Sequence, residues 1–132
     1  MSKKENKIKG NFGENMACDY LEDSGYEIIA RNFNCLYGEI DIIAIDDEEI
    51  VFIEVKTRCQ DYYGDPVEAV DIHKKRHLYN VAEYYLYKYN LLDKPIRFDV
   101  IEVYSDDSEY FYYNLSHLQN IIFDAPKKRR YK

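Results

Sequence analysis

Asp41, Glu54 and Lys56 have the types and spacing that phosphodiester hydrolysis requires, and all three lie in GEIDIIAIDDEEIVFIEVK, residues 38–56. The acidic tetrapeptide Asp46-Asp47-Glu48-Glu49 divides this stretch into two runs rich in Ile and Val, 38–45 and 50–56. Short β-branched runs around a polar cluster predict a hairpin. With the turn centred on Asp47 and Glu48, Asp41 falls across from Glu54, and Glu39 across from Lys56. Alternation along the strands then puts Asp41, Glu54 and Lys56 on one face. Ile40, Ile42, Ala44, Val51, Ile53 and Val55 fall on the other, a wholly aliphatic surface that must be buried. Two carboxylates opposed at roughly 5 Å between Cβ atoms repel each other. A divalent cation relieves that repulsion, and Mg²⁺ is often held by one or two carboxylates plus a substrate phosphate. Lys56 beside them could orient or deprotonate a water, or offset charge on a phosphate. The alternative is that Lys56 pairs with Glu39 or Glu54 on a solvated sheet face.

The elements that position these groups read as follows. Residues 10–24 form a helix, with Met16, Ala17, Tyr20 and Leu21 at the 3.6 period and Gly25 as the stop. Glu14 sits at the rim of the buried face, where a carboxylate needs a partner or a metal. It also suits the positive end of a helix dipole. Residues 26–34 are a first strand and the hairpin follows. CQDYYGD, residues 59–65, is a loop. Asp65-Pro66-Val67-Glu68 is a helix start, with Asp as cap, Pro at the first position and Glu three after the cap. That helix runs to about Asn90, its buried stripe including Leu78, Val81, Ala82, Tyr85, Leu86 and Tyr89. Residues 96–104 are a strand with Arg97 and Asp99 on one face, 110–114 a short last strand, and 116–123 a helical turn. The result is an α/β sandwich, a mixed sheet with a helix on each side.

Composition bounds the function classes. The 132 residues make one domain, 46% hydrophobic and 33% charged, as in a soluble globular protein. No apolar run reaches the roughly 20 residues of a membrane span, and no hydrophobic segment follows the basic N-terminus as it would in a secretory signal. A cytoplasmic protein with no membrane partner is expected. Cys18, Cys35 and Cys59 are odd in number and lack metal-ligand spacing, so they read as reduced thiols. A net charge of −7 argues against simple nucleic-acid binding. Its distribution points the other way: residues 1–10 hold four Lys and one Glu, and Lys127, Lys128, Arg129, Arg130 and Lys132 crowd the C-terminus. These basic, flexible ends, about 1–9 and 125–132, either grip phosphates or are simply solvated. Among 15 tyrosines, Tyr62 and Tyr63 in the loop beside the acidic cluster are the candidates for base stacking.

A family resemblance adds to this reading. G-x-x-G-E (10–14), R-N (31–32), G-E-I-D-I-I (38–43), V-F-I-E-V-K-T-R (51–58), Y-G (63–64), Lys74, A-x-x-Y-L (82–86) and R-F-D-V-I (97–101) resemble the bacterial YraN-type family, in the same order over about residues 8–104. That family is largely uncharacterised. It is similar to archaeal Holliday-junction resolvases, within the restriction-endonuclease-like nucleases. The resemblance implies a three-layer sandwich in αβββαβ order and a P-D…(D/E)-x-K site. Asp41 matches the first Asp, Glu54-Val55-Lys56 match (D/E)-x-K, and Glu14 matches the acid of the first helix. Ile40 departs from the motif's Pro. The implied activity is metal-dependent cleavage of DNA, with branched, junction-like DNA as the finer expectation. Asp41, Glu54, the Val55 carbonyl and Glu14 would be ligands of Mg²⁺ or Mn²⁺, Lys56 would act on water or phosphate, and Lys74 would reach the phosphate. A homodimer is a further implication, and a non-catalytic binding module on the same fold is the alternative.

Overall fold

The computed structural model describes residues 3–59, 72–105 and 112–121, and within them the side chains of residues 12–58, 77–104 and 114–121. Tyr62, Tyr63, Lys127, Lys128, Arg129, Arg130, the side chain of Lys74 and the Asp65-Pro66 helix start lie outside the described residues. The elements are α1 (Lys3–Asp23), β1 (Glu27–Cys35), β2 (Gly38–Asp46), β3 (Glu49–Cys59), α2 (Ile72–Lys88), β4 (Ile96–Ser105) and β5 (Tyr112–Leu118). The strands form one sheet in the order β1-β2-β3-β4-β5. β3 and β4 are parallel and the other neighbours antiparallel, so the sheet is mixed and α2 carries the chain from β3 to β4. No helix among the described residues is long and apolar enough to cross a membrane.

Strand alternation divides the apolar residues between two cores. Ala17, Cys18 and Leu21 of α1 cover Ile42, Ala44, Val51, Ile53, Ile101 and Val103. Leu78, Val81, Ala82, Tyr85 and Leu86 of α2 cover Ile40, Ile43, Ile50, Phe52 and Phe98. The α2 core is aromatic: Phe52 stacks on Phe98 at 5.5 Å and meets Tyr85 edge-on at 6.0 Å. α1 approaches β3 closely at Gly13, where a Cβ would collide with Thr57 Oγ1. Gly25, at φ 93°, ends the helix as expected, and the Tyr26 amide reaches back to the Leu21 carbonyl.

The β2–β3 hairpin has the expected register, with Ala44 opposite Val51 and Asp46 opposite Glu49. Asp47 takes φ 55°, a left-handed conformation that Asp tolerates better than most residues. Four expectations need correction. α1 begins at Lys3 rather than residue 10. Tyr89 is half exposed, because α2 ends one residue before it. Residues 116–118 are strand rather than helical turn, because Ile101 pairs with His117 and Val103 with Leu115. Ile40 belongs to the α2 core, not to the face of Ile42.

A buried ionic network fastens the hairpin turn to β4. Arg97 grips Asp99 with two hydrogen bonds of 2.9 and 3.0 Å. It also donates to Tyr26 Oη at 2.6 Å and to Asp46 at 3.0 Å, and lies 3.3 Å from Glu49. Asp99 further accepts the Asn120 amide and meets His117 Nε2 at 2.7 Å, while Tyr20 Oη meets His117 Nδ1 at 2.8 Å. Burial alone would raise the Asp99 pKa, but hydrogen bonds from His117, Arg97 and Asn120 outweigh it and hold the carboxyl below its usual range. A depressed carboxylate stabilises the fold above the ordinary carboxylate range, and that contribution is lost as pH falls through the lowered value. Asp99→Ala leaves Arg97 buried without its bidentate partner, and is expected to cost about 3–5 kcal/mol at neutral pH. Urea unfolding checks this; an unchanged midpoint contradicts it.

Candidate functional site

β2 and β3 pair regularly from the turn only as far as Ile42 and Ile53. Asp41 is the next residue on β2, and its side chain takes over: Asp41 Oδ2 accepts the Val55 amide at 2.8 Å. On the β1 side the register holds, but the backbone is unusual. Arg31 pairs with Ile42 and Phe33 with Ile40, leaving Asn32 opposite Asp41 at φ 52°. Residues two apart then sit on opposite faces. Ile42 packs under α1 and Ile40 under α2; Arg31 meets Glu14 of α1 while Phe33 packs under α2. Both strands reverse their facing at this one step, which is the physical reason that Ile40 departs from the simple alternation.

The acidic residues gather around that step from both sides. Glu54 and Lys56 continue the α2-facing series of Ile50 and Phe52, with Lys56 Nζ 3.3 Å from Glu54 Oε1. Glu14 comes from α1 on the other side and is buried, 9% exposed. Asp41 lies within electrostatic reach of Glu54, Glu14 and Glu39, so its pKa is raised to about 6, first by burial and then by those neighbours, against the lowering effect of the Val55 amide. Asp41, Glu54, Lys56 and Glu14 are thus brought together, although Glu54 and Glu14 approach from different faces rather than one. Val55 enters through its amide, which is spent on Asp41.

The donor set is open rather than closed. Among the described residues, no three or more His, Cys, Asp or Glu groups form a ready-made metal cage. Glu14 Oε1 is buried and accepts no hydrogen bond, since Arg31 Nη2 at 3.5 Å makes an ionic contact too long for one. A buried carboxylate oxygen lacking a hydrogen bond, next to a carboxyl whose charge is disfavoured, suits a cation that keeps water or takes phosphate in its remaining positions. On this test the residues fit a divalent ion held by few protein ligands.

Two contacts had no place in the sequence reading. Arg31, on β1, donates to Asn15 Oδ1 at 2.8 Å beside Glu14; the face reversal that brings it there leaves no periodic signal. Arg58 pairs with the buried Glu102 at 3.2 Å, and Tyr104 Oη donates to the same carboxylate at 3.0 Å. Arg58 follows Lys56 in the α2-facing series of β3, and Lys56 itself lies beside Glu102 of β4 in the parallel register. That register depends on strand order, which the separate segments do not announce.

Residues 13–103 match the model of the uncharacterised protein family UPF0102. The chain is 50% identical over 110 residues to a UPF0102 protein of Clostridium perfringens strain 13, covering 82% of this chain and 90% of the relative. It is 50% identical over 99 residues to one of Clostridioides difficile strain 630, covering 75% and 87%. It is 41% identical over 120 residues to one of Caldanaerobacter subterraneus, covering 91% and 98%.

The raised Asp41 pKa fixes the sign of a pH effect. Between the ordinary carboxylate value of 3.8 and about 6, the folded chain holds a proton that the unfolded chain has released. The stability linked to that proton is complete below the ordinary value and is lost as pH rises through about 6. Asp41→Asn keeps an acceptor for Val55 and removes the charge. It is expected to exceed wild type by about 2 kcal/mol at pH 7.5, after allowance for partial solvent screening, and to match it at pH 4. Urea midpoints of the two proteins at both pH values test this.

Proposed function

The chain belongs to the uncharacterised protein family UPF0102, and we propose that it is a metal-dependent nuclease of restriction-endonuclease-like fold that hydrolyses phosphodiester bonds in DNA, with branched DNA as the preferred form. The observation that carries the reading is the Asp41 carboxyl, held at the end of the β2–β3 ladder and crowded by Glu54 and Glu14. A structural carboxylate needs one partner, whereas this one has a hydrogen bond and three acidic neighbours, Glu54, Glu14 and Glu39, that raise its pKa. Asp41 and Glu54, with Glu14 beside them, would hold Mg²⁺ or Mn²⁺. The bound ion would polarise the phosphoryl oxygen and lower the pKa of a water.

The remaining roles fall to side chains already in position. Lys56, held by Glu54 at 3.3 Å, orients the attacking water or offsets the charge that develops on phosphorus. Val55 lends its amide to fix the Asp41 carboxylate, so that an acid at an irregular step of β2 has a single orientation. The net charge of −7 favours a second reading, in which the same surface binds a partner without cleaving it.

A cleavage panel separates the two. Four-way junction, flap, single-stranded and duplex DNA are incubated with wild type, Asp41→Ala and Lys56→Ala in millimolar Mg²⁺ or Mn²⁺. Wild type is expected to cut, with junction or flap cut fastest, and each variant to be slower by about a hundredfold or more. Absence of cleavage on every substrate in millimolar Mn²⁺ rejects the nuclease in favour of the binding module.

A further inference from the structure

The β1–β2 hairpin closes with Cys35 opposite Gly38, so Leu36 and Tyr37 alone make its turn. Two-residue turns favour Asn, Asp and Gly, whose backbones accept positive φ. Here neither central residue has positive φ, and Gly38 supplies the unusual backbone at φ 135°. Leu36 is 88% exposed, the most exposed large hydrophobic side chain among the described residues.

The turn beneath it packs against α2. Tyr37 meets Tyr84 of α2 edge-on at 6.0 Å, and Phe33 meets Tyr85 edge-on at 5.1 Å. A Cβ at Gly38 would touch Val81 of the same helix. The tip is therefore fastened to α2 with a single apolar side chain projecting from it. It is also fastened to the acidic cluster: Asp41 is three residues beyond Gly38 on β2, and Glu39 helps to raise the Asp41 pKa. At about 3.3 Å per residue, Leu36 lies within about 17 Å of Asp41, a span of about five stacked nucleotides.

We propose that Leu36 is a wedge that enters an opened base step of a branched DNA while the Asp41 cluster faces a phosphate nearby. The inference rests on the nucleic-acid reading above and adds the residue that senses substrate form. Apolar side chains inserted between bases are an established way for proteins to unstack and kink DNA. A lone projecting side chain is too small for a protein interface, which buries roughly 800 Å² per partner. Asn32 and Asn34 on the β1 flank are exposed neutral polar groups, and Glu39, opposite Asn34 on β2, is the exposed acid beside them.

The probe is a four-way DNA junction carrying 2-aminopurine at the branch, with a fully paired duplex as control, in buffer without divalent ions. Wild-type binding is expected to raise junction fluorescence. Leu36→Ser should lose that rise and bind the junction roughly tenfold less tightly, with duplex binding unchanged; Leu36→Met should restore both. The proposal is overturned if Leu36→Ser unstacks the branch as wild type does, if wild type never raises the signal, or if Leu36→Ser converts a dimer to a monomer. A fluorescence rise without cleavage in Mn²⁺ keeps the wedge and rejects the nuclease; cleavage without the rise does the reverse.

Discussion

The hydrogen bond from the Val55 amide to the Asp41 carboxylate occupies the point where the β2–β3 ladder stops. Pairing of β1 with β2 runs through this step, but the β2–β3 ladder stops at it, and a side chain supplies the acceptor for the Val55 amide. The exchange has an electrostatic cost. A carboxylate that satisfies one amide is placed among Glu54, Glu14 and Glu39 in a partly buried setting, and its charge is disfavoured. Replacing a neutral backbone carbonyl by an ionisable group at a ladder end is a poor device for stability. It is a reasonable device for presenting a carboxylate in one fixed orientation to a cation and a phosphate.

That arrangement needs a sheet that does not yield. Two cores clamp it from opposite sides, one under α1 and an aromatic one under α2. At the far end of the hairpin, Arg97 fastens Asp46 and Glu49 to the buried Asp99, and His117 ties β5 into the same carboxylate. The two ends of the hairpin thus differ in kind. The turn end is a network in which Arg97 serves three carboxylates, Asp46, Glu49 and Asp99, whereas at the other end Asp41 accepts a backbone amide and is crowded by Glu54, Glu14 and Glu39. Residues that break local rules cluster at the second end: Asn32 at positive φ, the interrupted ladder, the buried Glu14 oxygen without a hydrogen bond, and the exposed Leu36.

Much of this was legible in the sequence because the hairpin is locally determined. A two-residue acidic turn between β-branched runs fixes its own register, and the observed pairs of Ala44 with Val51 and Asp46 with Glu49 follow from it. Gly25 as a helix stop and Arg97 beside Asp99 were readable for similar reasons. What escaped depends on other strands. The reversal at Asn32 and Asp41 needs the β1 partner, so simple alternation misplaced Ile40. Residues 116–118 read as a helical turn because nothing in LSHL announces that Leu115 and His117 each complete a distant core and network. Arg58 with Glu102 likewise requires the parallel pairing of β3 and β4.

The central claim is that Asp41 is a carboxylate kept uncomfortable for the sake of a cation. Its ¹³C carboxyl chemical shift, followed by NMR across a pH titration with and without Mg²⁺, measures this directly. The expected midpoint is near 6 without Mg²⁺, falling to or below the ordinary carboxylate value, about 4, in millimolar Mg²⁺, because the ion favours the charged form. A midpoint near 4 in both titrations, or one near 6 that Mg²⁺ leaves unmoved, would contradict it.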